Sequence, residues 1–392
     1  VVVDFWFDVV CPYAYVASTK IEALAAEAGA TVRWRPILLG GLLQAHGSPT
    51  VPMAAMSAPR QAHTRLDLVR TARHHGVPLS LPAAHPRRTV DAMRILAALP
   101  PDRVPAAAAA LFRAYWVDGA DVTDPGVLAA ALPGLDVPDA VARGREPLRA
   151  ATADAVAAGV FGVPTTRVGD RLDWGVDRLA FVRRALGLPP KPSPLPRGGV
   201  VEVFWDLSSP FAYLGVHALD AFAAAGVEVV STPILLGALF RDLGTPDVPL
   251  ATYSPARRAW TERDLRDHAE LRGAPFRFAS TFPLRTVLPL RVVILEPRAR
   301  GPLFRAAWAE DRDVGRHEVV AQVLREHGLD EGLLIRADHE EPRRILRENT
   351  ARALALGVPG VPTFRVGDAL YWGQDRLPLV AEALRVSRPA EG

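Results

Sequence analysis

Two short apolar runs stand at matching places in the chain. Val1 to Asp8 and Val200 to Asp206 are β-branched and aromatic, and short enough to be buried strands. Pro12 and Pro210 follow in the first turn of predicted helices, where a missing N–H costs nothing. Those helices continue over Val16 to Ala28 and Leu214 to Ala225 and stop at Gly29 and Gly226. Second strands are predicted at Thr31 to Ile37 and Val227 to Ile234. From about Ser57 to Leu148, and again from Ser254 to Leu346, Ala, Leu and Arg recur at helical spacing with few strand signals. A hairpin pattern covers Pro164 to Val168 and Leu172 to Trp174 with Gly169-Asp170 as its turn, repeated at Gly367-Asp368. A closing helix is predicted from about Asp177 to Leu186. The order βαβ, helical block, ββα predicts an α/β domain with a large helical insertion, present twice.

The repeat is explicit in the residues. Asp8-Val-Val-Cys11-Pro-Tyr-Ala-Tyr15 aligns with Asp206-Leu-Ser-Ser209-Pro-Phe-Ala-Tyr213 at a shift of 198, and Pro36-Ile-Leu-Leu-Gly40 with Pro233-Ile-Leu-Leu-Gly237 at a shift of 197. Gly159 to Leu179 matches Gly357 to Leu377 at 16 of 21 positions, again shifted by 198, so gaps nearly cancel across the unit. The middle is less alike: Leu111 to Trp116 pairs with Leu303 to Trp308 at a shift of 192. A period of this length is a whole domain, which sets it apart from a solenoid. The expected organisation is a first domain over residues 1–187, a Pro-rich linker over 188–199 whose prolines favour extended chain, and a second domain over 200–392.

With 49% hydrophobic and 23% charged residues, each half has the means to bury an ordinary core. The net charge of +3 arises from Arg interspersed with Asp and Glu, with no basic tract, so no nucleic-acid partner is expected. The scarcity of Lys beside abundant Ala and Arg points to a GC-rich bacterial source. No apolar run reaches the roughly 18 residues of a membrane span, and no membrane association is expected. The single cysteine, Cys11, excludes an intrachain disulfide and a Cys-x-x-Cys redox pair, and fits a reducing, cytoplasmic compartment. The ten histidines show no paired ligand spacing, so no metal site is expected.

An Asp-x-x-(Ser/Cys)-Pro-(Tyr/Phe)-Ala-Tyr turn after the first strand, an Arg-Pro-Ile-Leu-Leu-Gly or Pro-Ile-Leu-Leu-Gly segment, a Gly-Val-Pro-Thr before the hairpin and a Trp-Gly-x-Asp-Arg after it occur in order, twice. Together they resemble the 2-hydroxychromene-2-carboxylate isomerase and kappa-class glutathione transferase branch of the DsbA superfamily, over both halves. The resemblance implies two tandem thioredoxin-like domains and a role for each matched residue. Ser209, and Cys11 by position, would sit at a helix N-terminus that stabilises a thiolate, belonging to bound glutathione with Ser209 donating to its sulfur. Val163-Pro164 and Val361-Pro362 would be cis peptides whose exposed backbone pairs with the thiol cofactor. Asp177 and Asp375 match the aspartate that holds the γ-glutamyl amine, and Arg60 and Arg257 fall where the family often has a cofactor-facing Lys. Ser48 and Thr245 replace the family's asparagine before the helical block, and Arg88 and Arg285 replace another in Pro-x-Asn-Thr, where a guanidinium offers a carboxylate two parallel hydrogen bonds. Tyr13 and Phe211, next to the nucleophile position, are the expected substrate contacts.

The expected function is thus a thiol-cofactor-dependent isomerase or transferase acting on an aromatic or polyketide-like carboxylate, with glutathione or another low-molecular-weight thiol such as mycothiol as cofactor. A small-molecule substrate is the partner, and the chain acts as a monomer that is an intrachain pseudo-dimer. Two alternatives stand beside it: a DsbA-type thiol–disulfide oxidoreductase working through Cys11 alone, and a non-catalytic binding protein that keeps only the pocket. Plainer readings of the residues remain open too. Cys11 also reads as a small buried hydrophobe, Ser209 as a helix cap, Asp177 and Asp375 as acids favoured by a helix start, and the paired tryptophans 116, 308, 174 and 372 as core or pocket wall.

Overall fold

A computed structural model of the chain describes residues 1–191 and 194–386. Residues 192 and 193 of the expected linker, and 387–392 of the expected second domain, lie outside the described residues.

The first sheet is built as its apolar runs demand. In β1 (Val2–Phe7) Val3, Phe5, Trp6 and Phe7 are all buried, and so is Asp4 among them, which pairs with Arg33, Arg35 and Arg167. α1 (Pro12–Glu27) starts at Pro12 with Cys11 as its extended N-cap, and the chain leaves it through Gly29 at φ 63°, a left-handed position that glycine occupies without strain. β2 (Thr31–Pro36) pairs parallel with β1. Seven helices follow: α2 (Leu39–Ala45), α3 (Ala58–His74), α4 (Val90–Ala98), α5 (Val104–Trp116), α6 (Pro125–Ala131), α7 (Val137–Arg143) and α8 (Arg145–Ala157). The hairpin β3 (Thr165–Val168) and β4 (Arg171–Trp174) then returns antiparallel against β1, giving the order β2-β1-β3-β4, and α9 (Leu179–Ala185) closes the unit.

The second sheet repeats the plan with β5 (Val200–Trp205), α10 (Pro210–Ala224), β6 (Glu228–Pro233), α11 (Leu236–Asp242), α12 (Pro255–Leu271), α13 (Val287–Leu295), α14 (Arg300–Trp308), α15 (His317–Glu326), α16 (Leu333–Arg336), α17 (Glu340–Ala355), β7 (Thr363–Val366), β8 (Ala369–Trp372) and α18 (Leu377–Val386). Its order is β6-β5-β7-β8. The α/β fold with two four-stranded sheets, each carrying a helical insertion, is the one expected.

Three details differ from the sequence expectation. α2 and α11 lie where no helix is predicted, because Leu39-Gly-Gly and Leu236-Gly read as breakers. Each is started by a distant carboxylate: Asp8 Oδ2 accepts from the Leu39 N–H at 2.8 Å, and Asp206 Oδ2 from the Leu236 N–H at 2.7 Å. The insertion runs on to Ala157 and Ala355. The closing helices are entered through a tighter turn at Val176–Arg178 and Gln374–Arg376.

By packing, the described residues fall into two compact units. One compact unit comprises the described residues of 1–55, 66–191 and 254–257; the other comprises those of 56–65, 194–253 and 258–386. Each sheet is drawn from one half, but a short segment of each half belongs to the other unit's packing, which no periodicity in the sequence signals.

The paired tryptophans of α5 and α14 are core. Trp116 and Trp308 are fully buried, and their indole N–H groups donate to the carbonyls of Val9 and Leu207, each at 2.8 Å. They fix the turn that follows the first strand of each sheet. α4 meets the α7–α8 junction at Gly144, where a Cβ would lie 1.8 Å from the Arg94 carbonyl oxygen. Backbone cannot yield as a side chain can, so Gly144→Ala is expected to destabilise the protein by about 1–3 kcal/mol, as overpacking does. That lowers the melting temperature by about 2–4 °C per kcal/mol, and a thermal scan matching the parent would refute it.

Candidate active site

The turn between strand and helix is the same in both units. The Cys11 N–H donates to the Asp8 carbonyl at 3.0 Å, and the Ser209 N–H to that of Asp206 at 3.2 Å. The aspartate side chains gather the surroundings. Asp8 Oδ1 accepts from the Val10 N–H at 3.1 Å and from Thr89 Oγ1 at 2.7 Å; Asp206 Oδ1 accepts from the Ser208 N–H at 2.9 Å and from Thr286 Oγ1 at 2.7 Å. Both carboxyls are fully buried, and burial raises their pKa against these hydrogen bonds. Asp8 and Asp206 stand in the motif, but their neighbours in sequence show no task for them. Their partners arrive from 30 and 80 residues away, and only the threonine of Pro-Arg-Arg-Thr89 and Pro-Leu-Arg-Thr286 hinted at them.

The side chains at 11 and 209 point to one place. Cys11 Sγ donates to the Val163 carbonyl at 3.2 Å, and Ser209 Oγ to the Val361 carbonyl at 3.4 Å. Val163-Pro164 and Val361-Pro362 are cis peptides, as are His85-Pro86 and Phe282-Pro283. Ser209 Oγ also accepts from the Ala212 N–H at 3.1 Å, so it caps α10 and faces the cis-proline loop at once. Cys11 makes no such cap. Its thiol is pushed up to about 12, chiefly by burial and slightly by Asp8, against the pull of the Ala14 and Tyr13 N–H groups. Burial therefore outweighs the helix N-terminus, and Cys11 is held as a protonated thiol.

Glycines shape the loops beside these groups. A Cβ on Gly162 would lie 2.6 Å from Trp174 Nε1, and one on Gly360 2.9 Å from Trp372 Nε1, so each indole rests directly on the backbone before the cis-proline. Gly175 and Gly373 take φ of 105° and 114°, and the carboxylates of Asp177 and Asp375 fold back against them. Each aspartate pairs with its neighbour, Asp177 with Arg178 at 2.9 Å and Asp375 with Arg376 at 3.1 Å.

The remaining expected residues distribute unevenly. Arg60 belongs to the unit of β5–β8, where its guanidinium lies 5.3 Å from the Phe240 ring and 5.0 Å from the Trp372 ring and donates to the Pro359 carbonyl at 3.0 Å. Arg257 belongs to the unit of β1–β4, 5.5 Å from the Trp174 ring. The resemblance places both arginines where the family often has a cofactor-facing Lys, and each guanidinium lies over the indole of a Trp-Gly-x-Asp-Arg segment. Ser48 and Thr245 follow α2 and α11, with their N–H groups on the Leu43 and Phe240 carbonyls. Tyr13 is half-buried with its hydroxyl 3.5 Å from Asp67, and Phe211 is partly buried against the core. Arg88 is exposed and lines a cleft of about 590 Å³ with Arg87, Asp91 and Arg94; Arg285 is exposed. Among the described residues no hydrogen bond or ion pair joins either to the 11 or 209 turn.

A thiol-containing peptide fits the backbone at this place. The N–H groups of Val163 and Val361 carry no hydrogen bond among the described residues, and their carbonyls accept only from Cys11 and Ser209. No cluster of three or more His, Cys, Asp or Glu able to hold a metal is present among the described residues.

A profile of the DSBA-like thioredoxin domain matches residues 2–187 and again residues 200–385. A 2-hydroxychromene-2-carboxylate isomerase of Sphingobium xenophagum is 31% identical over 192 residues, which are 47% of this chain and 97% of that protein. Glutathione S-transferase kappa 2 of Caenorhabditis elegans is 28% identical over 213 residues, 48% of this chain and 93% of that protein. A solved structure of 2-hydroxychromene-2-carboxylate isomerase is 27% identical, with a TM-score of 0.42, over 48% of this chain and 95% of that one. Each relative is thus matched almost whole by about half of this chain.

Proposed function

Because the chain belongs to the DSBA-like thioredoxin domain family, in two tandem copies akin to 2-hydroxychromene-2-carboxylate isomerases and kappa-class glutathione transferases, we propose that it is a glutathione-dependent isomerase or transferase whose working site is that of Ser209. The observation that carries this reading is the double engagement of Ser209 Oγ, which holds a lone pair on the Ala212 N–H and aims its proton at the loop before cis-Pro362.

When bound, a small thiol supplies a nucleophilic sulfur that adds to an electrophilic unsaturated carbon and leaves again. The chain's own residues do the rest. Ser209 turns its O–H from the Val361 carbonyl to the sulfur and favours the thiolate there, helped by the N–H groups that open α10. The Val361 N–H and carbonyl, freed of Ser209, pair with the backbone of the thiol peptide. Asp375, beside Gly373, supplies a carboxylate for its amine. Asp206, through Leu236, Ser208 and Thr286, holds the turn so that these groups need not reorganise.

The site of Cys11 has a different character. A buried thiol occupies the position of the serine hydroxyl and is held protonated, and the chain has no second cysteine to resolve a mixed disulfide. We assign this site a packing role, which counts against the thiol–disulfide oxidoreductase. The test is isomerisation of 2-hydroxychromene-2-carboxylate with and without glutathione, beside insulin reduction with the same protein. Glutathione-dependent turnover of the acid is expected, with no insulin reduction. Insulin reduction without isomerisation overturns the assignment.

A further inference from the structure

A cavity of about 190 Å³ opens on the flank of α10, far above the roughly 10–15 Å³ that one water needs. Tyr213, His217 and Asp220 line it from α10, and Arg300, Phe304 and Arg305 from α14. His217 lies eight residues along the helix from Ser209, about 12 Å at the helical rise, so this is not the site proposed above.

Its charges are unspent. Arg305 is engaged by Glu310 at 2.9 Å, but Arg300 and Asp220 have no hydrogen-bond or ion-pair partner among the described residues, and face the same cavity without reaching each other. Arg300 is largely withdrawn from water, which lowers its pKa, and Asp220 is the charge that favours its cation. Asp220 stands at the exposed mouth. The wall between them is the Tyr213–Phe304 ring pair, packed on each other with centroids 5.9 Å apart.

The first copy shows that this is not a by-product of the fold. Arg300 aligns with Ala108, which is fully buried, and His217 with Thr19. Asp220 aligns with Glu22, whose carboxylate is already taken by the Trp34 indole N–H at 2.5 Å. Among the described residues the second copy thus sets a half-buried cation and an exposed anion, neither with a hydrogen-bond or ion-pair partner, along an aromatic wall, and the aligned positions of the first copy do not. A simple carboxylate would face Asp220, and a simple amine would face Arg300. A molecule carrying both charges satisfies both.

We propose that this cavity binds a small zwitterion of the α-amino-acid type, its carboxylate on Arg300, its ammonium at Asp220 and its side chain against the wall that Tyr213 and Phe304 form. The head group can come from a free amino acid or from the γ-glutamyl end of glutathione, and the proposal does not rest on the activity proposed above. The full chain is titrated with each of the twenty amino acids and with glutathione, at about 10 mM, well above a constant of about 1 mM for a weak site, by thermal shift and calorimetry. At least one probe is expected to bind. Arg300→Ala and Asp220→Asn are each expected to weaken it tenfold or more, as are the amide and the decarboxylated amine of the best binder, while Ser209→Ala leaves it unchanged. Arg300-dependent binding of glutathione to Ser209→Ala identifies the γ-glutamyl source, and of free amino acids the other. Asp220 is exposed, so Asp220→Asn stays informative where Arg300→Ala fails to fold. The proposal is overturned where no probe binds, or where the best binder is indifferent to Asp220→Asn and binds equally as its decarboxylated amine.

Discussion

Ser209→Ala is expected to lower glutathione-dependent turnover roughly 10²- to 10³-fold, the usual cost of removing one preorganised donor from developing or resting negative charge. Two effects of the substitution must be separated. Ser209 Oγ caps α10 through the Ala212 N–H, so its loss also costs about 1 kcal/mol of stability. A cap that does nothing else would yield that stability loss with kcat/KM unchanged, and this outcome would defeat the assignment. Ser209→Thr separates the two further, since it keeps the hydroxyl and the cap and should recover most of the activity. Cys11→Ala, in contrast, is expected to leave turnover within a few-fold of the parent. A collapse of turnover in Cys11→Ala beside an active Ser209→Ala would move the working site to the first unit.

How far the site can be read from residues alone follows from which partners are local. The Asp-x-x-(Cys/Ser)-Pro turn and the Gly-Val-Pro loop are each short and occur twice, so strand, helix and hairpin fall into order and bring Cys11 and Ser209 to the two cis-prolines. The glycine against each indole is legible only as part of a motif, because the reason for it is a tryptophan twelve residues later. The role of Asp8 and Asp206 was hidden. Four of the groups they hold, Leu39, Thr89, Leu236 and Thr286, are set by the path of the chain and not by any spacing. Helical periodicity does not say which ring the start of a helix will meet, so the contacts of Arg60 with Trp372 and of Arg257 with Trp174 are not legible in it. The α10 cavity was invisible for another reason: His217, Asp220 and Arg300 read as the solvated face of ordinary helices until α14 is laid beside α10.

Cys11 is expected to react with iodoacetamide about a hundredfold more slowly than a free cysteine at pH 7, in the native full-length chain. An ordinary thiol titrates near 8.5, and burial pushes this one up to about 12, so the thiolate fraction at neutral pH falls by roughly three to four powers of ten. The rarer thiolate is the better nucleophile, with a slope of about 0.4–0.5 per pKa unit, which returns roughly one and a half of those powers. Access reduces the rate further, since Cys11 is 7% exposed. The rate should climb tenfold per pH unit well past pH 9, where a free thiol levels off, and unfolding in urea should restore the ordinary profile. The same shift makes a claim on stability. The folded state keeps the thiol proton to higher pH than the unfolded state does, so this contribution is complete below about pH 8.5 and is lost as pH rises toward 12. Cys11→Ser removes that titration, and its stability should therefore fall less steeply than the parent's across the alkaline range. A native alkylation rate that levels off at or below pH 7 would mean that the helix N-terminus wins over burial, and would return Cys11 to the list of reactive thiols.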